Sequence, residues 1–392
     1  MVSQISPASA VATRDEREKR SWWHPAWRPI RVAVLVVLAF IATDIALRAD
    51  ISRQFASGAF RLPRDTNLFL REYISYLGDH AAPRVYVIGD SVIQGVRLTP
   101  AETVPARIGA RLPAPWSAAN LGLTASKIPD FFYMTALLRA RPGDVAVYNI
   151  NPKNFSAYDL ARPLRFYDLY DASLDRVAGF DAAEALAIPA DRRGHKARGD
   201  AVSRAANDAW FFYGNRDWIS AELLGTHPRK LIDSYHRVLV YSGVRGSIDR
   251  LLRRAGRTDW REKRWDPWAI DVLKKYYDMP PLDDANPVFR FIAPCARLAR
   301  ERGMTPVFFM TPMNRAFADE HELVDWARHA DNIARIRAAV EASGGVFVDT
   351  TDTVAPDGFT DNDHLNAPGA DALAGTLAGV ILPFLVSDGG VP

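Results

Sequence analysis

Short strand-like runs spaced between helical stretches constrain the fold of this 392-residue chain more than any other feature. Val85-Tyr86-Val87-Ile88, Ser117–Leu121, Val145–Ile150, Thr305–Met310 and Val346–Asp349 are each too short for an ordinary helix. Most are continuous apolar runs, as expected of strands buried on both faces of a parallel sheet. Helical patterns lie between and after them: Thr103–Arg111, Asp130–Ala140, Pro294–Arg302, about Glu320 to Ala342, and from about Pro368. Strand and helix in strict alternation predict an α/β fold with a doubly wound parallel sheet.

The rhythm breaks over about 155–290, where aromatic and charged patches such as WFFYGNRDW replace it. A mainly helical insertion over the active edge of the sheet is expected there. Some of its Trp and Tyr side chains are of the type that stacks on sugar rings, although most are expected in a helical core.

Before the first strand, Val32 to Thr43 is an unbroken apolar run, extended by Ile45-Ala46-Leu47. Trp22, Trp23 and Trp27 precede it, and Arg28, Arg31 and Arg48 flank it. About twenty such residues suffice to cross a bilayer, with tryptophan and arginine at the interfaces. The segment DIALRAD is a poor signal-peptidase site, so an uncleaved anchor is expected. The organisation expected is a cytoplasmic tail at 1–27, a transmembrane anchor at 28–48, a connector at 49–83, and a catalytic domain at 84–392 outside the cytoplasm. This corresponds to a single-pass protein of the inner membrane, with its domain in the periplasm if the cell has two membranes. Asp44 within the span is costly in lipid and is a candidate contact for a membrane partner.

Composition removes several classes of function. Forty-nine basic and 46 acidic residues leave a formal net charge of +3, so nothing points to nucleic acid. The single cysteine, Cys295, excludes an internal disulfide and a cysteine-based metal site. The acids Asp349, Asp352, Asp357, Asp361 and Asp363 are dense but have neither EF-hand nor paired-histidine spacing. No metal and no cofactor is expected.

The candidate chemistry sits at strand ends. Gly89-Asp90-Ser91 closes the first strand, at the edge where open α/β sheets place their ligands. Asp90 and Ser91 also have the chemistry of helix caps. Asp361 and His364, three residues apart, precede the final helix and face the same edge. A serine nucleophile needs a base and a group that orients the base, and these three residues supply the set. The G-x-S-x-G elbow of ordinary α/β-hydrolases is absent. Gly122 follows the second strand, where a missing side chain lets backbone approach a ligand. Asn149, Asn151 and Asn154 follow the third, and Asn314, after the fourth, is either a substrate contact or a turn residue.

Gly89-Asp90-Ser91, Gly122 and Asp361-x-x-His364 together resemble the blocks of the SGNH (GDSL-like) hydrolase superfamily, whose fold is flavodoxin-like. The resemblance runs from about residue 84 to the C-terminus, with the insertion unmatched. It implies Ser91 as nucleophile, His364 as base and Asp361 as its orienting acid. It also implies an oxyanion hole from the amides of Ser91 and Gly122 with an asparagine side chain. The third block departs from the usual G-x-N-D: Asn151-Pro152-Lys153-Asn154 stands there, and Asn151 ranks above Asn154 as the donor. Within the superfamily, NPKNF, FFMTPMNR, DNDHLN and the N-terminal anchor resemble the DltD-type proteins and the anchored accessory proteins of polysaccharide O-acetylation. That likeness implies a membrane-bound O-acyltransferase as partner and a glycan or acyl-polymer as substrate. The expected activity is a serine esterase or O-acyltransferase. The alternative is a non-catalytic glycan-binding or accessory module.

Overall fold

The computed structural model describes residues 28–58, 60–62, 70–80, 82, 84–162, 260–263 and 265–385. The expected cytoplasmic tail and most of the insertion lie outside these residues.

Five strands form one parallel sheet: β1 (Arg84–Gly89), β2 (Ser117–Gly122), β3 (Val145–Ile150), β4 (Thr305–Met310) and β5 (Val346–Val348). Their spatial order is β2-β1-β3-β4-β5. The chain therefore winds one way from β1 to β2 and the other way from β3 onward. The ends of β1 and β3 flank the point of reversal, where doubly wound sheets leave a crevice for a ligand.

Each strand is covered on both faces, and the period-two alternation of its side chains decides which core each residue joins. Tyr86, Ile88, Tyr148 and Phe308 enter one core with α2 (Leu70–Asp79), α5 (Ile128–Leu137), α8 (Ile292–Glu301) and α10 (Trp326–Ala342). Val85, Val87, Val147 and Phe309 enter the other with α3 (Ser91–Gln94), α4 (Val104–Gly109), α9 (Arg315–Glu320) and α11 (Ala367–Ile381). The stretch Ala367–Phe384 is apolar enough to span a membrane. However, Leu373, Ala374, Leu377 and Ile381 are fully buried, which makes α11 a core helix.

One sequence expectation needs correction. The helix expected from about Glu320 begins only at Trp326: α9 ends at Glu320, Glu322 adopts φ 50°, and the Asp325 side chain caps the new start by accepting from the Arg328 amide. The segment expected as the anchor lies within α1, which runs from Arg28 to Ala56 into the start of the expected connector. Most of its apolar side chains that the structure describes are exposed, Leu35 to 65%. Its last turn is rooted in the domain, with Phe55 packed against Phe60 at 4.7 Å and Tyr73 at 5.1 Å. Of the insertion, the described residues include α6 (Ala157–Leu160) and α7 (Pro267–Tyr277).

Phe308 is fully buried and stacks on Tyr148 of the neighbouring strand at 4.6 Å. Phe308→Ala is expected to lower the unfolding free energy by about 3–5 kcal/mol, read by chemical denaturation.

Candidate active site

The turn after β1 is built to expose one hydroxyl. Gly89 has no room for a side chain, since a Cβ there would lie 2.2 Å from Asn149 Oδ1. That oxygen accepts the Asp90 backbone N–H at 3.0 Å. Asp90 is the N-cap of α3, its Oδ1 accepting from the Val92 amide at 2.9 Å. Asp90 is therefore spent on the turn, while Ser91, the first residue of the helix, stays half-exposed.

The imidazole expected as base arrives from the loop before α11. His364 Nε2 lies 3.0 Å from Ser91 Oγ, and His364 Nδ1 lies 2.9 Å from Asp361 Oδ2. With Nδ1–H donating to the carboxylate, Nε2 is left to accept the serine proton. The three-residue spacing has a local cause: Asp361 Oδ1 also accepts the backbone N–H of His364 at 2.8 Å and of Asp363 at 3.2 Å. One buried carboxylate thus folds the loop and orients the ring. Arg97, 31% exposed, reaches Asp361 Oδ2 at 3.1 Å. Burial alone would raise the Asp361 pKa, but His364 and then Arg97 outweigh it and hold the carboxyl well below the usual range. Burial disfavours a charged His364, yet Asp361 and Asp363 prevail and raise its pKa above the ordinary histidine value.

The residues expected to receive an oxyanion are placed differently. Gly122 donates its backbone N–H to Asn120 Oδ1 at 2.9 Å. A Cβ at Gly122 would fall 2.2 Å from the Gln94 nitrogen, so this glycine lets β2 approach α3 rather than a ligand. The loop beyond it is stitched to the turn before the serine: the Leu123 amide and Ser126 Oγ both donate to Gly89 O, at 2.8 and 3.0 Å. That loop holds Ala125 at φ 60°, a strained conformation for a residue with a Cβ. Its N–H makes no hydrogen bond among the described residues.

Asn151 donates one side-chain N–H to Asp90 Oδ2 at 2.8 Å and the other to Asp363 Oδ2 at 3.1 Å. In this arrangement it has none left for an oxyanion. The side chain of Asn154, one 3-10 turn later, has no hydrogen-bond partner among the described residues and is the freer donor of the two. Asn314 is 1% exposed, caps α9 by accepting from the Phe317 amide at 3.2 Å, and donates to Asp361 O at 3.1 Å. It supports the loop of Asp361 from behind.

Several contacts around the site escaped sequence reading. Asn149 donates to Asp90 Oδ1 at 2.9 Å and to Thr311 Oγ1 at 3.1 Å, tying β1 to β3 and β4. Lys153 pairs with Asp363 Oδ2 at 2.5 Å. Asn362 donates to Asp363 Oδ1 and to the Tyr277 hydroxyl, both at 2.8 Å. The clustering of NINPKN and DNDH at strand ends was the available signal, but no spacing rule reveals contacts across β3. Asp361, Asp363 and His364 bring ligand atoms within 4.8 Å of one another. Arg97, Lys153 and two asparagine amides already occupy those carboxylates, which suits a network of ion pairs better than a cation site.

No known family profile matches the chain, and no curated protein does. Solved structures with a similar fold include a carbohydrate acetylesterase from Sinorhizobium meliloti, 10% identical with a TM-score of 0.34 over 76% of this chain and 98% of that one. A putative arylesterase from Agrobacterium tumefaciens is 10% identical, with a TM-score of 0.36 over 77% and 100%. A GDSL-like lipase from Bacteroides thetaiotaomicron is 13% identical, with a TM-score of 0.34 over 80% and 96%. Such distant likenesses carry no functional weight.

Gly122→Ala is expected to push α3 off β2, costing on the order of 1–3 kcal/mol of stability. Displacement of Ser91 from His364 would appear as slower labelling of the serine by a fluorophosphonate probe in protein that remains folded.

Proposed function

We propose that the chain is an SGNH-type serine acyl esterase or O-acyltransferase, held at a membrane by α1 and acting on a glycan or acylated polymer of the cell envelope. The observation that carries the reading is the continuous relay from Ser91 Oγ through His364 to Asp361, with contacts of 3.0 and 2.9 Å. Ser91 attacks an acyl carbonyl while His364 Nε2 takes its proton. The resulting oxyanion is received by backbone amides beside the serine, and the loops after β2 and β3 offer the Ala125 amide and the Asn154 side chain as further candidate donors. His364 then gives the proton to the departing alcohol, leaving an acyl-serine. Water, or a sugar or polyol hydroxyl, attacks that ester with His364 again as base, which distinguishes hydrolysis from transfer.

The anchor reading is supported by α1. Its 29 residues span about 43 Å at ~1.5 Å per residue, more than the ~30 Å hydrocarbon core, and it exposes apolar side chains. An extracytoplasmic site would act beside a membrane-bound O-acyltransferase, the class of partner that supplies or consumes acyl groups there.

A second reading, an accessory glycan-binding module, is favoured by one observation: the N–H groups of Gly122 and Asn151 are both taken internally. The two readings separate in an assay of p-nitrophenyl acetate and short acyl esters with the full-length protein in detergent. For the enzyme, Ser91→Ala and His364→Ala each lower hydrolysis on the order of 10⁴-fold or more. Envelope acylation unchanged in cells carrying Ser91→Ala would favour the accessory module. The base must be neutral to act and its pKa is raised, so kcat/KM should rise with pH along a limb centred above the ordinary histidine value of about 6.5.

A further inference from the structure

His364 meets two carboxylates where one would orient it. Asp361 Oδ2 is 2.9 Å from Nδ1 and Asp363 Oδ1 is 3.5 Å from the same nitrogen, and both side chains are buried. A histidine that must accept a proton from serine is disabled if its surroundings hold it as imidazolium, and each nearby anion favours that form. Asp361 earns its place by fixing the tautomer, whereas Asp363 needs an offset.

The offset comes from the turn after β3. Lys153, 18% exposed, places Nζ 2.5 Å from Asp363 Oδ2, while Asn151 donates to that same oxygen and Asn362 to Oδ1. The rings of Tyr276 and Tyr277 lie 6.0 and 5.7 Å from the ammonium and screen it from water. We propose that Lys153 is a positioning residue that sets the basicity of His364: its ammonium offsets part of the Asp363 charge that the imidazole would otherwise feel in addition to Asp361.

This rests on the reading of His364 as the base. Among the described residues, the other charged or titratable groups around the imidazole are Arg97, bound to Asp361; Lys263, which interacts with Arg97 and Asp361; Asp90, behind Asn151; and Tyr277, joined to the loop through Asn362. The electrostatics of both groups agree with this geometry. Burial alone would lower the Lys153 pKa, but Asp363, with Tyr277 and Asp90, raises it, so the residue stays charged. At His364, burial is outweighed by Asp361 and Asp363, and Lys153 takes back part of the rise.

The test is the titration of His364 by NMR in the full-length protein in detergent, with ¹³C-labelled imidazole carbons and the resonance assigned by its loss in His364→Gln. Lys153→Met is expected to move the titration up by about one to two pH units. Lys153→Arg, which keeps the charge, should leave it within a few tenths. Asp363→Asn alone should move it down, and Lys153→Met combined with Asp363→Asn should return it close to wild type. An unmoved titration in Lys153→Met overturns the proposal, as does a double variant that stays displaced upward. If Lys153→Met does not fold, an unmoved titration in Asp363→Asn overturns it instead. The measurement needs no turnover, so an absence of ester hydrolysis would count against the esterase reading and leave this result intact. In an active enzyme the acid limb of kcat/KM should follow the same shifts.

Discussion

The site depends on a buried carboxylate that takes no part in the relay. Asp90 accepts from the Val92 amide and from Asn149 on one oxygen, and from Asn151 on the other. Burial, and then Asp363, raise its pKa, and these donors act against that rise. Through Asn149 it fixes the end of β3 to the end of β1, and through Asn151 it reaches Asp363 on the loop that carries the base. Three chain segments remote in sequence therefore share one anchor point, and Ser91 is the residue next to it.

The surrounding charges form one connected network. Arg97 and Lys153 each bind one of the two carboxylates that flank His364. Buried pairs of this kind contribute little net stability, because desolvation offsets their attraction. What they fix is geometry and local potential, and a general base depends on both. Arg61 extends the network outward by donating to Gly95 O and Leu98 O at 2.6 and 2.7 Å, steadying the loop that holds Arg97.

The sheet was legible because its strands are written in continuous apolar runs, and Val145–Ile150 and Thr305–Met310 appear with the bounds their composition predicts. Ser91, His364 and Asp361 were legible for a related reason: topology brings the ends of parallel strands to one edge, so position along the sheet predicts proximity. The donors were less legible. A glycine at a strand end signals close backbone approach without saying to what, and at Gly122 the approach is to α3. An asparagine signals two N–H groups without saying who accepts them, and at Asn151 both go to carboxylates. Arg97 and Lys153 lie on ordinary turns, and their meaning appears only once Asp361 and Asp363 are folded against them. The break within 320–342 turned on a positive φ at Glu322, which composition does not encode.

The hydrogen bond between Ser91 and His364 joins positions 273 residues apart. A chain made from its N-terminus therefore completes the strand and turn that present the hydroxyl long before the imidazole exists. Throughout that interval Ser91 is an ordinary alcohol with no neighbouring proton acceptor of this kind. The loop before α11, which carries Asp361 and His364, is what makes it part of a relay. A chain ending between β5 and Asp361 would keep all five strands and the Ser91 hydroxyl but neither member of the Asp361–His364 pair.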